Sequence, residues 1–408
     1  MTIEIRNVRE DELPAYFEAG STGFLDRPDV VAVAAEVAPN WDLSRTWAAF
    51  DDGRICGTYR SWATELTIPG GGQVPGAAVS GVAVMPTQRR RGILRAMVAK
   101  EHAASRERGE AVALLYAAEY PIYGRFGYGP ACQVATWTID TRGASFRNEP
   151  IGGIEMGKPD ESAAALNRVY DTWRRRRVGE IRRRDYMWNY DLGLVESSWG
   201  PRWKGFVALH RDAAGEVDGY VRYRAEEKWE QRQPRQILKV DELHALSDDV
   251  YAGLWRFLAE IDWVATVKAE SRSPSERLPY YLTNARAAFV SDVGDGIWVR
   301  LLDIRRALEA RTYERESSVV LEVIDPEAAD GRARVLLEAG PDGATCRTTD
   351  RSPDLTLGVG ALGAAYLGGT RLRDAVLMTG VDEHGAGALE RADALFRTAD
   401  PPWCSTFF

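Results

Sequence analysis

The sequence contains little that could cross a membrane, grip a metal or staple the chain covalently. No apolar run approaches the roughly 20 residues that a bilayer span needs. The four cysteines, Cys56, Cys132, Cys346 and Cys404, lie far apart with no C-x-x-C spacing, which argues against a disulfide framework or a zinc site. His102, His210, His244 and His384 are equally scattered, and none has a second histidine four residues on. Each reads as a surface or internally satisfied side chain, and no metal is expected. No short-period repeat is present. The opening MTIEIRNVREDELPAYF lacks a basic stretch leading into an apolar core, so no secretory signal is expected and the cytoplasm is the default location. A net charge of −8 leaves no basic excess for general nucleic-acid binding. It suits a cationic small substrate drawn into an acidic cleft.

What is present is an ordinary globular composition, 45% apolar and 27% charged, in a chain of 408 residues. That length implies two or three cores. Through residue 150 strands and helices alternate. DDGRICGTYRSWATELTIPG reads as a hairpin or meander turning at Asp52-Gly53. AAVSGVAV (77–84) reads as a buried strand, residues 93 to about 109 as an amphipathic helix, and AVALLYAA (111–118) as another strand, which together make a crossover unit. A Gly- and Pro-rich stretch near 150 predicts a boundary. The runs WRRRRVG (173–179) and IRRRDYMWNY (181–190) read as arginines interleaved with acids on exposed helices, a commoner arrangement than a nucleic-acid surface. From 301 an amphipathic helix, two strand-like runs and a helix-rich tail follow. GVGALG (358–363) has G-x-G-x-x-G spacing but too little chain after it for a dinucleotide fold, and reads as a glycine-rich turn.

The segment VAVMPTQRRRGILRAM (82–97) carries the chemistry. A helix N-terminus presents unpaired amides and partial positive charge, and glycine lets an anion approach closely. Arg89, Arg90 and Arg91 lead straight into Gly92, where an amphipathic helix opens after a buried strand. A basic surface turn is the bland alternative; the strand-to-helix context favours a pyrophosphate site.

This segment resembles the acetyl-CoA signature of the GNAT superfamily of N-acetyltransferases, [Q/R]-x-x-G-x-[G/A], through Arg89, Gly92 and Leu94, the last departing from the pattern. PTQRRRGILRAM, IYGRFGYGPA (122–131), YLGG (366–369) and the aromatic C-terminus together resemble the Eis (enhanced intracellular survival) family over essentially the whole chain. The resemblance implies an α+β protein: a catalytic acetyltransferase domain over 1–150, a second, non-catalytic GNAT-like domain over 151–300, and a sterol-carrier-like α/β domain over 301–408. A strand near 292–303 is expected to return to the first domain. It implies acetyl-CoA as co-substrate, bound by Val82, Ala83, Val84, Arg89, Arg90, Arg91, Gly92, Ile93 and Leu94, with Glu119 nearby as a further contact and alternative base. It assigns the general acid to Tyr123, with Tyr116 and Tyr128 as rivals, and the base to the terminal carboxylate of Phe408. Phe24, Asp26 and Ser80 are assigned to the acceptor pocket. The implied acceptor is a cationic primary amine, such as an aminoglycoside, a polyamine or a lysine side chain, and the implied assembly a homohexamer. The rival reading is a lipid- or ligand-binding protein acting through its last domain.

Overall fold

A computed structural model describes residues 3–147, 149, 152–198 and 200–408. Among them the chain forms two seven-stranded sheets, a five-stranded sheet and a small two-stranded ribbon, with helices packed against the sheets. The architecture is α+β in three units.

The first sheet runs in the order β1 (Glu4–Asn7), β2 (Thr46–Asp51), β3 (Arg54–Thr67), β4 (Gln73–Val84), β5 (Val112–Leu115), the strand Trp298–Leu301, and β6 (Gly129–Pro130). Asp52 and Gly53 take φ of 48° and 76°, the left-handed pair that lets a two-residue turn follow the twist of β2 and β3. Helix α1 (Leu13–Phe24) packs on β3 and β4, and α2 (Val30–Val37) packs on α1. Helix α3 (Ile93–Glu107) carries the crossover from β4 to its parallel neighbour β5 and buries Ile93, Met97 and Val98 on one stripe. Trp298–Leu301 lies antiparallel between β5 and β6 with all four side chains buried, so a strand from late in the chain completes the first sheet.

The second sheet takes Gln133–Asp140 between Ala288–Asp295 and Val264–Arg272. The boundary expected between 150 and 151 falls on residues outside those described. The strand Gln133–Asp140, expected in the first domain, pairs in the second sheet, and Trp298–Leu301 spans the expected 300/301 boundary while pairing in the first. Gly and Pro mark where a chain turns; sheet membership is decided by pairing partners distant in sequence.

In the third unit Ser317–Ile324 pairs antiparallel with Arg332–Gly340 and parallel with Leu355–Gly358. GVGALG, expected as a turn, opens the fully buried helix Val359–Ala365, which packs on β6 and Trp298–Leu301. A Cβ at Gly129 or Gly363 would collide with the backbone of the opposing element. The glycines there serve close helix-to-strand contact, which local turn statistics do not see. Arg311, fully buried, donates to the carbonyls of Tyr366 and Phe396, at the C-terminal ends of two helices, where cations are favoured.

The arginine runs also differ from their expected exposed setting. Arg174 is fully buried and pairs with Glu65 (2.9 Å) and Asp171 (2.7 Å), while buried Arg183 pairs with Glu242 (2.6 Å). Arg174 thereby joins the second unit to β3 of the first, whereas Arg183 and Glu242 pair within the second unit. The first and third units are joined similarly. Arg300 meets Asp325 at 2.6 Å, and Glu327 accepts from His102 (2.8 Å) and Arg106 (2.7 Å).

Candidate active site

Strand β4 is irregular where the site forms. Thr58 faces Ala83 and Arg60 faces Ser80, so Tyr59 alone stands opposite Gly81 and Val82. This bulge bends the strand, with Gly81 at φ 62°. On its other side β4 pairs with β5 only from Gly76 to Ala78. From Val79 to Val84, including the expected Val82, Ala83 and Val84, that edge has no ladder partner among the described residues. Helix α1 seats on the same strand, with Gly23 so close to Ala83 that a Cβ would clash.

Past β4 the turn Pro86–Gln88 delivers the arginines. Arg90 (φ 64°) and Gly92 (φ 79°) are both left-handed, a geometry that swings successive amides toward one side as an anion-binding concavity. Gly92 is the N-cap of α3 and offers no side chain to occupy the free amides. Arg91 is paired with Asp51 at 2.7 Å, and Arg89 donates to the Val84 carbonyl at 3.3 Å. Arg89 and Arg90 are exposed, whereas Ile93 is buried and anchors the helix start. Leu94, at the position that departs from the signature, packs against the first unit's core.

Tyr123 closes the short helix α4 (Tyr120–Tyr123) and is 8% exposed. Its hydroxyl has no hydrogen-bond partner among the described residues. Burial, and secondarily the charge of Glu119, push its pKa up to about 12. The rival tyrosines are engaged: Tyr128 hydrogen-bonds His102 Nε2 at 2.9 Å, and Tyr116 donates to the Thr406 carbonyl at 2.9 Å. Glu119 is exposed just before α4.

The C-terminal tail is built into the molecule. Helices α5 (Pro159–Arg174) and α6 (Asp185–Asp191) flank a loop carrying fully buried Glu180. Glu180 accepts from the Ser405 amide (2.8 Å), the Ser405 hydroxyl (2.7 Å) and the Thr406 hydroxyl (2.9 Å). Arg183 Nε donates to the same Thr406 hydroxyl at 2.9 Å. Trp403 packs edge-on against Trp173, and Phe408 meets Trp62 and Tyr116 at ring separations of 5.1 and 5.2 Å.

Phe408 thereby lines a cavity of about 610 Å³ with Phe24, Ser80 and Gly81. Of the residues assigned to the acceptor pocket, Phe24 and Ser80 line it and Asp26 does not. Leu25 turns left-handed (φ 61°) at the end of α1, the Asp26 amide bonds back to Ser21, and the Asp26 carboxylate accepts from the Arg27 amide in the solvent. Tyr123 is not in the lining; it stands in the first unit's core beside Tyr128.

Comparisons with known proteins fit this layout. Residues 4–131 match a family model described as an acetyltransferase (GNAT) domain, residues 179–301 match a second GNAT-domain model, and residues 304–405 match a sterol carrier protein domain. The N-acetyltransferase Eis of Mycobacterium tuberculosis is 32% identical, with 98% of each chain covered. The chain belongs to the Eis family of N-acetyltransferases. An uncharacterized N-acetyltransferase of Streptomyces griseus is 41% identical over the whole of both chains. The crystal structure of Eis1 from Mycobacterium abscessus shares 33% identity at a TM-score of 0.86, covering 99% of this chain and all of that one. A GCN5-related N-acetyltransferase from Anabaena variabilis shares the fold at 19% identity and a TM-score of 0.85. As an Eis-family member the protein is an acyltransferase built from two GNAT domains and a sterol-carrier-like domain. Among its described residues no cluster of three His, Cys, Asp or Glu could hold a metal ion, and no helix is long and apolar enough to cross a membrane.

Sequence reasoning missed several walls of the cavity: Tyr16, Trp41 and Arg60 in the first unit, and Tyr186, Met187 and Tyr190 on α6. The α6 residues belong to IRRRDYMWNY, whose aromatic spacing of four residues (Tyr186, Tyr190) was a usable sign of one helical face. Nothing local marks Glu180 as the clamp of a tail more than 200 residues away.

Proposed function

We propose that the protein transfers an acetyl group from acetyl-CoA to a primary amine bound in the aromatic cavity. The observation that carries this reading is the placement of Phe408. A clamped C-terminus reaches a cavity beside a bulged strand whose free edge leads to a left-handed anion loop. Val82, Ala83 and Val84 would pair with the pantetheine arm as an added strand would. The amides at Gly92, Ile93 and Leu94, with Arg89 and Arg90, would hold the diphosphate. The thioester supplies the acetyl group. The Phe408 carboxylate takes a proton from the bound ammonium, which frees the nitrogen lone pair. The C–N bond would form as the C–S bond breaks, the departing thiolate would take the Tyr123 hydroxyl proton, and the second N–H proton, acidic once the nitrogen is acylated, would return to the tyrosinate, leaving a neutral amide and a thiol. The raised pKa of Tyr123 keeps that proton in place at neutral pH. Holding both reactants in one site supplies much of the acceleration.

A thiol-release assay with acetyl-CoA across a panel of amines tests the reading. The panel includes aminoglycosides, polyamines and lysine peptides, the acceptors the family resemblance suggests. Tyr123→Phe, and residues appended after Phe408, should each lower kcat at least tenfold while acetyl-CoA still binds. Unchanged kcat in both would overturn the assigned roles. The third unit is read as the carrier of this tail rather than a lipid receptacle, because Arg311, Tyr313, Tyr366 and Phe396 fill its interior. We further infer a homohexamer; exposed Phe289 and Val293 on the edge strand Ala288–Asp295 would be covered by assembly, and sedimentation equilibrium tests this.

A further inference from the structure

The cavity is rich in aromatic surface and poor in negative charge. Phe24, Trp41, Tyr186 and Tyr190 give it stacking walls. Among the described residues none of the lining is Asp or Glu; Arg60 and the C-terminal residue Phe408 are part of it. Glu36 is not among the lining residues; one of its carboxylate oxygens accepts from the Ser198 amide (2.7 Å), and the other is buried beside Tyr190 without a hydrogen-bond partner among the described residues.

Arg60 stands directly across the strand pair from Ser80. Its guanidinium lies 3.9 Å over the Trp41 ring and 5.2 Å from that of Trp62, and it meets the Tyr186 hydroxyl. Among the described residues it has no carboxylate partner. A second cation, Arg184, stacks on the same Trp62 at 4.3 Å and on Tyr186 at 4.4 Å, also without an acid, and its Nε is buried with no acceptor. Burial depresses the pKa of both groups, with the charge of Arg60 adding to the effect on Arg184, which falls to about 10. Two guanidinium groups around one indole, served by ring faces and hydroxyls, leave strong donors for an anion unused. Of the two, Arg60 lines the cavity and Arg184 does not, so a polycation bound there would meet the Arg60 guanidinium.

We propose that the preferred acceptor is a primary amine on an aromatic body that also carries a carboxylate, the anion received by Arg60, the ring by the aromatic walls and the amine by Phe408. This rests on the acetyl-transfer reading and narrows its substrate class. It also departs from the cationic acceptors suggested by the family resemblance. The net charge of the whole chain did not reveal this, because its acids lie elsewhere.

The test compares 4-(aminomethyl)benzoate, benzylamine and spermidine as acceptors with the full-length protein. The carboxylate-bearing amine should exceed benzylamine in kcat/KM by about tenfold, the scale of one charge-assisted contact, and exceed spermidine by more. Arg60→Gln should abolish the advantage of the carboxylate, read as the kcat/KM ratio of 4-(aminomethyl)benzoate to benzylamine within the same variant, and Arg60→Lys should restore part of it. Circular dichroism of each variant reports folding, and the three-substrate comparison in the unmodified protein needs no variant. Calorimetric binding of 4-(aminomethyl)benzoate against benzylamine reads the same preference without chemistry. If no amine is acetylated but carboxylate-selective, Arg60-dependent binding persists, the acetyl-transfer reading fails and the pocket assignment stands. If spermidine is preferred, or the carboxylate gives no gain in rate or binding, the assignment is overturned.

Discussion

Replacing Thr406 by valine removes one hydroxyl from the joint that holds the C-terminus in place. That hydroxyl donates to Glu180 (2.9 Å) and accepts from Arg183 Nε (2.9 Å), and it also lies 2.7 Å from the Tyr170 hydroxyl. Two of these partners are ionic, and a hydrogen bond to a charged group contributes roughly 1.5–3 kcal/mol. Valine keeps the shape but leaves Glu180 and Arg183 each short of a partner in a buried setting. The docked tail should therefore lose about 3 kcal/mol, a shift of roughly a hundredfold in the ratio of docked to released tail. Carboxypeptidase reads that ratio directly, because cleavage tracks the open population when reclosing is faster than cutting. The Thr406→Val protein should lose Phe408 and Phe407 about a hundred times faster. Its kcat should fall once the released form becomes populated, with the KM for acetyl-CoA unchanged, since the anion loop is untouched. A digestion rate equal to that of the parent protein would refute the reasoning, because the clamp would then not be what seats the tail.

Three other outcomes follow from the geometry. Gly92→Ala places a Cβ at φ 79° and should raise the KM for acetyl-CoA several-fold with a stability loss of about 1 kcal/mol, read by steady-state kinetics and denaturant melts. Because Tyr123 must be protonated to serve as an acid and its pKa is about 12, kcat should show no alkaline decline up to pH 10. Burial alone would raise the pKa of Glu327, but the hydrogen bond and charge of His102, the Arg106 hydrogen bond and the charge of Arg300 hold it at about 2. Its folded pKa is thus below the ordinary 4.5, so its contribution to stability is complete above 4.5 and is lost as pH falls toward 2. Thermal melts of Glu327→Gln should lack that part of the acid destabilisation.

Local signals carried the elements of the first unit well. The Asp52-Gly53 turn, the strand ending at Val84 and the helix opened by Gly92 each follow from adjacent residues: a left-handed pair, an apolar run and a periodic stripe. The loop that opens α3 at Gly92 was legible for the same reason. The signals failed where partners are distant. Gln133–Asp140 looks like a continuation of the first unit, yet its neighbours in the second sheet are Val264–Arg272 and Ala288–Asp295. The arginine runs look like a solvated face, yet Arg174 and Arg183 are buried because Glu65 and Glu242 arrive from elsewhere in the fold. Asp26 was assigned to the pocket, with Phe24, through the family resemblance alone. A left-handed residue between them sends the two side chains in different directions.

The site is composite, and this bears on how the three units depend on one another. The first unit supplies the bulged strand and the left-handed loop, α6 of the second supplies an aromatic wall, and the third supplies the tail. The dependence runs deeper than shared lining. Without Trp298–Leu301, β5 and β6 are not joined, so a fragment ending near 131 lacks an inner strand of its own sheet, together with the buried Trp298 and Leu301 side chains. That strand in turn is held by Arg300 against Asp325 of the third unit, and the helix Val359–Ala365 lies against it. The late strand closes the first sheet and docks the third unit, so formation of that sheet and seating of the unit that carries the C-terminal tail are coupled through the same four residues.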